Sequence, residues 1–294
     1  MGSRLLYYFI ILPISYLPFW ALYFLSDFLR FVLFTLIGYR KKVIHENLRK
    51  SFPEKNEEEI EKIKSKFHKH LCDLVIESIK AFSISKETAQ KRMIDRNVEL
   101  VNKYKKQGRQ VILVGGHYGN WELFAITIGI SLEHHAMALY TPIKNKFFDE
   151  KVKRSRSKYG LEMLPIQVIK EKVQSINNEL YAIILGSDQS PRKTQKAYWM
   201  TFLNQETGVQ FGTEKFAKEI DAVVIFANIF RMKRGHYEIE YRLLTETPNE
   251  TDYGYITKTH TKWLEEIIQD DPAYWLWSHR RWKYKRPTDE KLHG

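Results

Sequence analysis

The amino-acid sequence predicts an α/β fold with a hydrophobic segment at its N-terminus. Short apolar runs recur after residue 108, and stretches with the spacing of amphipathic helices separate them. Continuous apolar runs are typical of strands covered on both faces, so their alternation with helices predicts a layered α/β sandwich. The first 26 residues contain 22 consecutive residues without a charge.

The composition limits the class of protein. The 294 residues are 44% hydrophobic and 14% aromatic, which supplies a sizeable core and excludes a disordered chain. A single cysteine, Cys72, excludes an intrachain disulfide framework and fits a reducing compartment. The formal net charge of +12 favours anionic partners: nucleic acid, phosphorylated lipid, an acidic protein or an anionic membrane face.

The N-terminal hydrophobic stretch, Leu5 to Ser26, predicts a membrane segment. As a helix it is roughly 33 Å long, and the hydrocarbon core of a bilayer is about 30 Å thick. Asp27 and Arg30 interrupt the run before residues 31–39 resume it. A helical hairpin lying partly in the membrane interface is therefore an alternative, and a buried helix of a soluble protein is a third.

Prolines and cations indicate how this segment is arranged. Pro13 and Pro18 are expected to kink it in either membrane form. Residues 40–42 are all cationic, and the positive-inside tendency places the rest of the chain in the cytoplasm. We therefore predict a membrane anchor at residues 1–39 and one further domain at residues 40–294.

The remainder of the chain has the pattern of a long helix and then alternating strands and helices. Residues 57–82 carry apolar side chains at the spacing of one helical face, and Asn56 is a start signal. His68, His70 and Cys72 resemble metal ligands, but helix residues two apart point away from each other, so we predict no metal site. The predicted strands are 111–114, 136–140, 181–185, 222–226 and 237–244.

The segment VILVGGHYGNWE, residues 111–122, places polar groups at the end of a predicted strand. Gly115 and Gly116 allow a tight turn and leave N–H groups facing a pocket, which suits a phosphate or an oxyanion. His117 comes next, at the start of a helix expected to begin near Tyr118. Active residues in open α/β sheets lie at the carboxyl ends of strands, so the pattern predicts a functional site here.

His117 and Glu122 are the candidate catalytic pair. If the helix begins near residue 118, Glu122 lies in its second turn, and its carboxylate can reach back to one imidazole nitrogen. That contact would fix the tautomer and free the other nitrogen to take a proton. The spacing alone leaves open an alternative, a helix-capping histidine beside an unrelated surface glutamate.

Several blocks along the chain resemble the lipid A biosynthesis acyltransferases, the late acyltransferases of Gram-negative inner membranes. The resemblance extends along nearly the whole chain. It implies an αβα acyltransferase sandwich around a mixed sheet at residues 40–294, with an N-terminal membrane helix. The blocks are NLRKSFPE (47–54), GGHYGNWE (115–122), YTPIKNKFFDEKVKRSR (140–156), LGSDQS (185–190), FGTEKFAK (211–218) and YWLWSHRRWKYKRP (274–287).

Members of that family transfer a fatty acyl chain, usually from acyl carrier protein, to a hydroxyl of a 3-hydroxyacyl chain on a phosphorylated glucosamine disaccharide. The resemblance implies an O-acyltransferase of lipopolysaccharide synthesis without metal or cofactor, at the bacterial inner membrane with its catalytic domain facing the cytoplasm. The expected partners are acyl carrier protein, a phosphorylated glycolipid acceptor and the membrane. Acyl transfer to a lysophospholipid, another glycolipid or an aminolipid, and non-catalytic binding of anionic lipid, are the alternatives.

The resemblance also implies residue roles. His117 would be the general base and Glu122 its orienting partner. Arg154 would hold phosphate or stabilise an oxyanion, and Asp188 with Gln189 matches an Asp-Gln pair that comes after a central strand. Arg154 can equally belong to a solvated basic face, and Asp188 can cap a turn. The residues expected to contact substrate are Gly115, Gly116, Asn120, Asn145, Arg156 and Gln189.

Two positions depart from the family pattern, and one stretch suggests a surface. Thr141 and Ser190 stand where many relatives have arginine and aspartate, so one anion contact and one acidic contact are missing or supplied elsewhere. Residues 279–287, HRRWKYKRP, interleave basic and aromatic side chains, which suits nucleic acid or lipid headgroups. Without a nucleic-acid module beside them, we predict no nucleic acid and a lipid surface. The tryptophans expected at that interface are Trp275, Trp277 and Trp282.

Overall fold

The computed structural model describes residues 2–169, 171–172, 179–191 and 197–293. The strands are β1 Met93–Asp95, β2 Val111–Gly115, β3 His135–Tyr140, β4 Glu162–Pro165, β5 Tyr181–Gly186, β6 Ala197–Phe202, β7 Gln205–Gln210, β8 Val223–Lys233 and β9 His236–Thr245. Seven of them form one mixed sheet in the order β1-β9-β8-β2-β5-β3-β4, and β6 pairs with β7 in a separate hairpin. Every neighbouring pair in the large sheet is parallel except β8 with β9.

The α-helices are α1 Gly2–Leu6, α2 Leu12–Tyr16, α3 Phe19–Arg30, α4 Lys41–Ser51, α5 Glu57–Lys80, α6 Lys86–Arg92, α7 Glu99–Lys106, α8 Trp121–Ser131, α9 Lys146–Arg156, α10 Gly212–Glu219 and α11 Tyr255–Asp270. Two π-helical segments occur at Tyr7–Ile11 and Phe31–Leu36. Short 3₁₀ turns occur at Ser157–Tyr159, Ile166–Val168, Pro248–Glu250 and Pro272–Tyr274. The predicted α/β fold is confirmed, and each of the five predicted strands is present.

The sheet divides the core into two apolar layers. Side chains alternate between the faces of a strand, so Ile112 and Val114 of β2 pack into one layer, with α4, α5 and α11. Val111 and Leu113 pack into the other layer, with α7 and α8. Because both faces of β2 are covered, the strand that leads to His117 is rigidly held, and the polar loop after it has a fixed starting point.

The N-terminal hydrophobic segment is not one continuous helix. Its first arm comprises residues 2–16, and its second arm comprises residues 19–36. Leu17 and Pro18 separate the two arms, and the backbone of Pro18 is extended. One continuous helix over Leu5 to Ser26 is therefore not formed, and the break at Pro18 matches the kink that was expected there. By length and composition the second arm, Phe19–Leu36, could cross a membrane.

The C-terminal aromatic stretch lies inside the protein, which corrects its predicted place at a membrane interface. Trp275 and Trp277 are 2% and 0% exposed and belong to the core. Their indole N–H groups donate to Asp188 and to the carbonyl of Pro272, so the polar edge of each ring has a partner without water. Trp282 packs against the same core.

One of the basic residues of this stretch, Arg281, is buried as well. Arg281 is 1% exposed and donates to the Thr207 hydroxyl at 2.7 Å and to the Gly208 carbonyl at 2.9 Å. Burial lowers the pKa of Arg281 to about 10, and the nearby Asp188 opposes that shift. This part of the stretch therefore packs onto the β6–β7 hairpin, whereas Arg280, Lys283 and Lys285 are exposed, and a lipid surface formed by them stays a prediction.

Candidate active site

The candidate site lies at the carboxyl end of β2, as predicted. The polar loop from Gly116 to Asn120 connects β2 to α8, and His117 lies within it. Helix α8 begins at Trp121, three residues later than expected, because Gly119 has a left-handed φ of +63° and Asn120 acts as the N-cap. The Asn120 side chain accepts a hydrogen bond from the Leu123 N–H at 2.8 Å.

The two glycines before His117 are explained by close packing. A Cβ on Gly115 would lie 2.9 Å from the carbonyl oxygen of Ala227, and one on Gly116 would lie 2.7 Å from a methyl group of Leu264. The N–H of His117 donates to the Asp188 carboxylate at 2.8 Å, so this donor is already used inside the protein. The glycines therefore set how closely the loop approaches β8 and α11.

Asp188 is the partner of His117. The imidazole Nδ1 lies 2.6 Å from Oδ1 of Asp188, and the Trp275 indole N–H donates to Oδ2 at 2.9 Å. Asp188 comes two residues after the end of β5, the strand that pairs in parallel with β2. The carboxyl ends of neighbouring parallel strands meet at one edge of the sheet, which brings together two residues that are 71 positions apart.

The environments of the two partners differ, which sets their protonation. Asp188 has a side chain 2% exposed, whereas His117 is 25% exposed. Burial disfavours the charge on His117, but the Asp188 carboxylate and its hydrogen bond outweigh burial and raise the pKa of the imidazole. Burial would likewise raise the pKa of Asp188, but His117 and the Trp275 N–H hold it well below its usual range.

Glu122 does not make the predicted bond to His117. Its carboxylate is held by the Arg156 guanidinium, with Nε to Oε2 at 2.9 Å and Nη2 to Oε1 at 2.5 Å. The late start of α8 puts Glu122 in the first helical turn and not in the second, as the predicted contact required. Glu122 still raises the pKa of His117 electrostatically, but less than Asp188 does.

The other predicted site residues separate into two groups. Gln189 and Arg156 line a cavity beside His117, and the Gln189 amide nitrogen lies 3.3 Å from Nε2 of His117. Arg154 is exposed and is not part of that lining. Asn120 is fully buried, and Asn145 caps α9 and donates to the Ser3 hydroxyl. Asn120 is therefore held by contacts within the protein, whereas Asn145 is exposed and its substrate contact stays a prediction.

The cavity beside His117 has a volume of about 460 Å³. Its outer rim includes exposed residues of the segment after β3, of α9 and of the turn after β4. The rim residues are Thr141, Ile143, Lys153 and Ile166. The deep wall is apolar and buried, and it consists largely of Leu113, Phe124, Ile128, Leu161 and Met163. An apolar chain of this bulk can therefore lie in the cavity with a reactive end at the imidazole.

Sequence reasoning missed Trp275 and Trp121 as site residues. The backbone N–H of Gly119 donates to the Tyr274 carbonyl at 3.0 Å, so the C-terminal stretch is paired with the His117 loop. The Trp121 ring packs edge-on against the His117 imidazole, with centroids 5.0 Å apart. Both tryptophans lie in blocks that carry the family resemblance, but only the folded chain shows that they touch the site.

Among the described residues, the group that could bring metal-ligating atoms together is His45, Glu57 and Glu61. It lies on the surface of α4 and α5, where Arg49 and Lys64 already pair with its glutamates. None of these residues lines the cavity beside His117.

Comparison with known proteins shows which family the chain belongs to. The family model described as bacterial lipid A biosynthesis acyltransferase matches residues 2–284. The chain is 23% identical over 277 residues to the lipid A biosynthesis palmitoleoyltransferase of Escherichia coli (strain K12), covering 93% of this chain and 88% of that protein. It is 22% identical over 249 residues to the lipid A biosynthesis lauroyltransferase of the same organism, covering 83% of this chain and 79% of that protein. The chain therefore belongs to the family of bacterial lipid A biosynthesis acyltransferases.

Proposed function

We propose that the protein transfers a fatty acyl chain from an acyl thioester, carried by acyl carrier protein, to a hydroxyl group of a lipid A precursor. The observation that carries this proposal is the His117 imidazole, bound through Nδ1 to the buried Asp188 at 2.6 Å and lining an apolar cavity. The site faces the cytoplasm at the inner membrane, where both substrates would be present.

In the proposed mechanism Nε2 of His117 is the general base. Asp188 accepts the Nδ1 proton, which fixes the tautomer that leaves Nε2 unprotonated. Nε2 takes the proton of the acceptor hydroxyl as its oxygen attacks the thioester carbonyl, and the carbonyl electrons move to oxygen. The tetrahedral oxyanion then collapses, the carbon–sulfur bond breaks, and the leaving thiolate takes the proton from the imidazolium.

Other residues have positioning roles in this proposal. The Gln189 amide, 3.3 Å from Nε2 of His117, lies where it can donate to the attacking hydroxyl or to the oxyanion. Arg156 and Lys153 bring positive charge to the cavity lining and suit an acceptor that carries phosphate. Glu122 holds Arg156 and adds negative charge near the imidazole. This role differs from the direct contact that the spacing predicted.

The donor proposal rests on charge. Lys144, Lys146, Lys153 and Arg154 are all exposed close to the cavity rim. Acyl carrier proteins are acidic, so this surface should speed their docking, and salt should weaken the effect. We expect activity with acyl carrier protein to fall more steeply with ionic strength than activity with acyl coenzyme A. Equal use of both thioesters at every ionic strength would reject acyl carrier protein as the donor.

Lipid mass spectrometry of a strain lacking the protein tests the function as a whole. Loss of one acyl chain from lipid A, restored by the wild-type gene and not by His117→Ala, is the expected result. His135→Ala is the matched control, since His135 is an exposed histidine paired with Glu162 away from the cavity. Loss from another lipid would favour the alternative acceptors, and an unchanged lipidome would reject the enzyme.

A further inference from the structure

The two ends of the N-terminal hydrophobic segment contact the same body of the protein. At one end the Asn145 side chain, at the start of α9, donates to the Ser3 hydroxyl at 2.7 Å. At the other end the Arg40 guanidinium donates to the carbonyl of Ser278 at 2.6 Å. A segment that crossed a bilayer once would place its ends on opposite sides, about 30 Å apart.

The second arm is packed along its length on α5. Tyr23 donates to Glu77 at 2.8 Å, Ser26 donates to Asp73 at 2.8 Å, and the Phe34 ring stacks on His68 with centroids 3.6 Å apart. These contacts cover about three turns of the arm. A helix that keeps them must lie alongside α5, antiparallel to it, and therefore at the same depth in or on the membrane.

Helix α5 cannot itself lie in hydrocarbon. Lys62, Lys66 and Lys69 are exposed on it, and Asp27 of the second arm pairs with Arg234 of the β8–β9 turn at 2.8 Å. Placing exposed lysines at the bilayer centre costs several kcal/mol for each charge. The second arm, which has the length and composition of a membrane span, is therefore held at the membrane surface by its own contacts.

The outward side of the two arms is an apolar stripe. On the second arm Trp20, Phe24, Phe28 and Phe31 are 77%, 73%, 61% and 51% exposed, at the spacing of one helical face. The inward face carries Leu22, 0% exposed, and the polar contacts to α5. The exposed apolar residues of the first arm include Leu5, Phe9, Ile10 and Tyr16. One apolar face and one packed polar face are typical of a helix that lies in the plane of the interface.

Exposed cations border this stripe. They include Arg4, Arg30, Lys41 and Lys42. The first arm also packs on α9 through Tyr7 and Phe147, whose ring centroids are 5.6 Å apart, and α9 contributes Val152, Lys153 and Arg156 to the cavity lining. The first arm therefore abuts a helix that lines the cavity. A cationic border fits anionic headgroups.

We propose that both arms lie within one leaflet of an anionic phospholipid membrane and that the chain does not cross the bilayer. The proposal deepens the proposed function and rests on its membrane association. The occupant of the apolar stripe is the acyl region of the cytoplasmic leaflet. Because the first arm abuts α9, acyl chains of a lipid substrate would pass from that leaflet into the cavity without crossing water.

Site-directed labelling tests this topology without reference to activity. Gly2→Cys and Lys42→Cys place thiols at exposed positions on either side of the segment, and the native Cys72 is buried. Each variant is prepared in right-side-out and in inverted inner-membrane vesicles. The vesicles are treated with a membrane-impermeant maleimide, and labelling is expressed relative to a detergent-solubilised sample. Wild-type protein gives the background from Cys72.

We expect both variants to label in inverted vesicles to the level of the detergent sample and to remain at background in right-side-out vesicles. Labelling of Gly2→Cys in right-side-out vesicles, with Lys42→Cys labelled only in inverted vesicles, would show a span and overturn the proposal. Recovery of the protein outside the vesicle fraction would instead reject membrane association. The lipid A profile of the deletion strain is measured separately, so a failure of the proposed function can be distinguished from a failure of the proposed topology.

Discussion

Two buried carboxylates flank the loop that carries His117, and they differ in what surrounds them. Asp188 accepts from the His117 ring, from the His117 backbone and from the Trp275 indole. Glu77 accepts from the Tyr23 and Tyr237 hydroxyls and from the Asn120 amide. Asp188 therefore faces a group that can become a cation, whereas the hydrogen-bond donors of Glu77 are all neutral.

The pKa values move in opposite directions for this reason. Burial raises the pKa of Glu77, and its hydroxyl donors oppose that shift only in part. For Asp188 burial acts the same way, but the charge of His117 and three hydrogen bonds lower the pKa. Two buried carboxylates thus have opposite pKa shifts: Asp188 keeps its charge beside the imidazole, and Glu77 holds Asn120 by a hydrogen bond. The hydrogen-bond partner, and not burial alone, therefore determines the direction in which the pKa of a buried carboxylate moves.

Removal of the base should have the largest effect. His117→Ala leaves Asp188 charged and takes away the group that removes the hydroxyl proton, so turnover should fall by roughly 10²- to 10⁴-fold. The initial rate at saturating acyl donor measures this, with His135→Ala as the control. Near wild-type turnover in a folded His117→Ala protein would reject the mechanism.

The charge on Asp188 should matter almost as much. In Asp188→Asn the amide can donate to Nδ1 and favour the wrong tautomer, so we expect a loss of about 10²-fold or more. The thermal midpoint should also fall at neutral pH. Because the pKa of Asp188 is lower in the folded protein than its ordinary value of 3.8, the charged carboxylate stabilises the fold above pH 3.8. This stabilisation is lost as the pH falls through the pKa of the folded state. Unchanged turnover would mean that the hydrogen bond alone suffices.

The Glu122–Arg156 pair should have a smaller effect. Its side chains are 20% and 25% exposed, and Glu122 acts on the imidazole only electrostatically and less than Asp188 does. We therefore expect a loss of about tenfold or less in rate, equivalent to about 1.4 kcal/mol. Glu122→Gln should therefore lose much less turnover than Asp188→Asn in parallel assays. A greater loss of turnover in Glu122→Gln than in Asp188→Asn would instead support the direct pairing of Glu122 with His117 that the spacing predicted.

The smallest effect on activity should come from Glu77→Gln, which removes the buried carboxylate on the Asn120 side of the loop. Turnover should remain close to wild type, since Gln keeps an oxygen acceptor for Asn120. Because the pKa of Glu77 is higher in the folded protein than its ordinary value of 4.5, the protonated carboxyl group stabilises the fold below pH 4.5. This stabilisation is lost as the pH rises through the pKa of the folded state. The thermal midpoint of Glu77→Gln should therefore rise relative to that of wild type as the pH increases from 4.5 towards neutrality. Calorimetry measures both midpoints. A relative loss would show that the charge stabilises the fold.

The sequence predicted the elements of this site better than the contacts between them. Continuous apolar runs identified the strands, and Asn56 identified the start of α5 through a capping box with Glu59. The His117–Asp188 bond depends on β5 lying beside β2, and strand order is not encoded in local periodicity. Glu122 was assigned to His117 because the left-handed Gly119, which delays α8, was not recognised.

The tryptophans of the C-terminal stretch show a second limit of sequence reasoning. Basic and aromatic residues alternate there as they do at lipid surfaces, and local composition cannot distinguish that surface from a core. Trp275 and Trp277 are buried because the chain returns to pair with the His117 loop after Tyr274. The family resemblance located the block, but its packing depends on long-range contacts.

The pH dependence of kcat/KM tests the central claim most directly, that Asp188 sets the protonation of His117. The base must be neutral, so activity should rise with pH through a His117 pKa above its ordinary value of 6.5. Asp188→Asn should move this inflection to lower pH by more than Glu122→Gln does, and Glu77→Gln should leave it in place. A larger shift in Glu122→Gln than in Asp188→Asn would contradict the account.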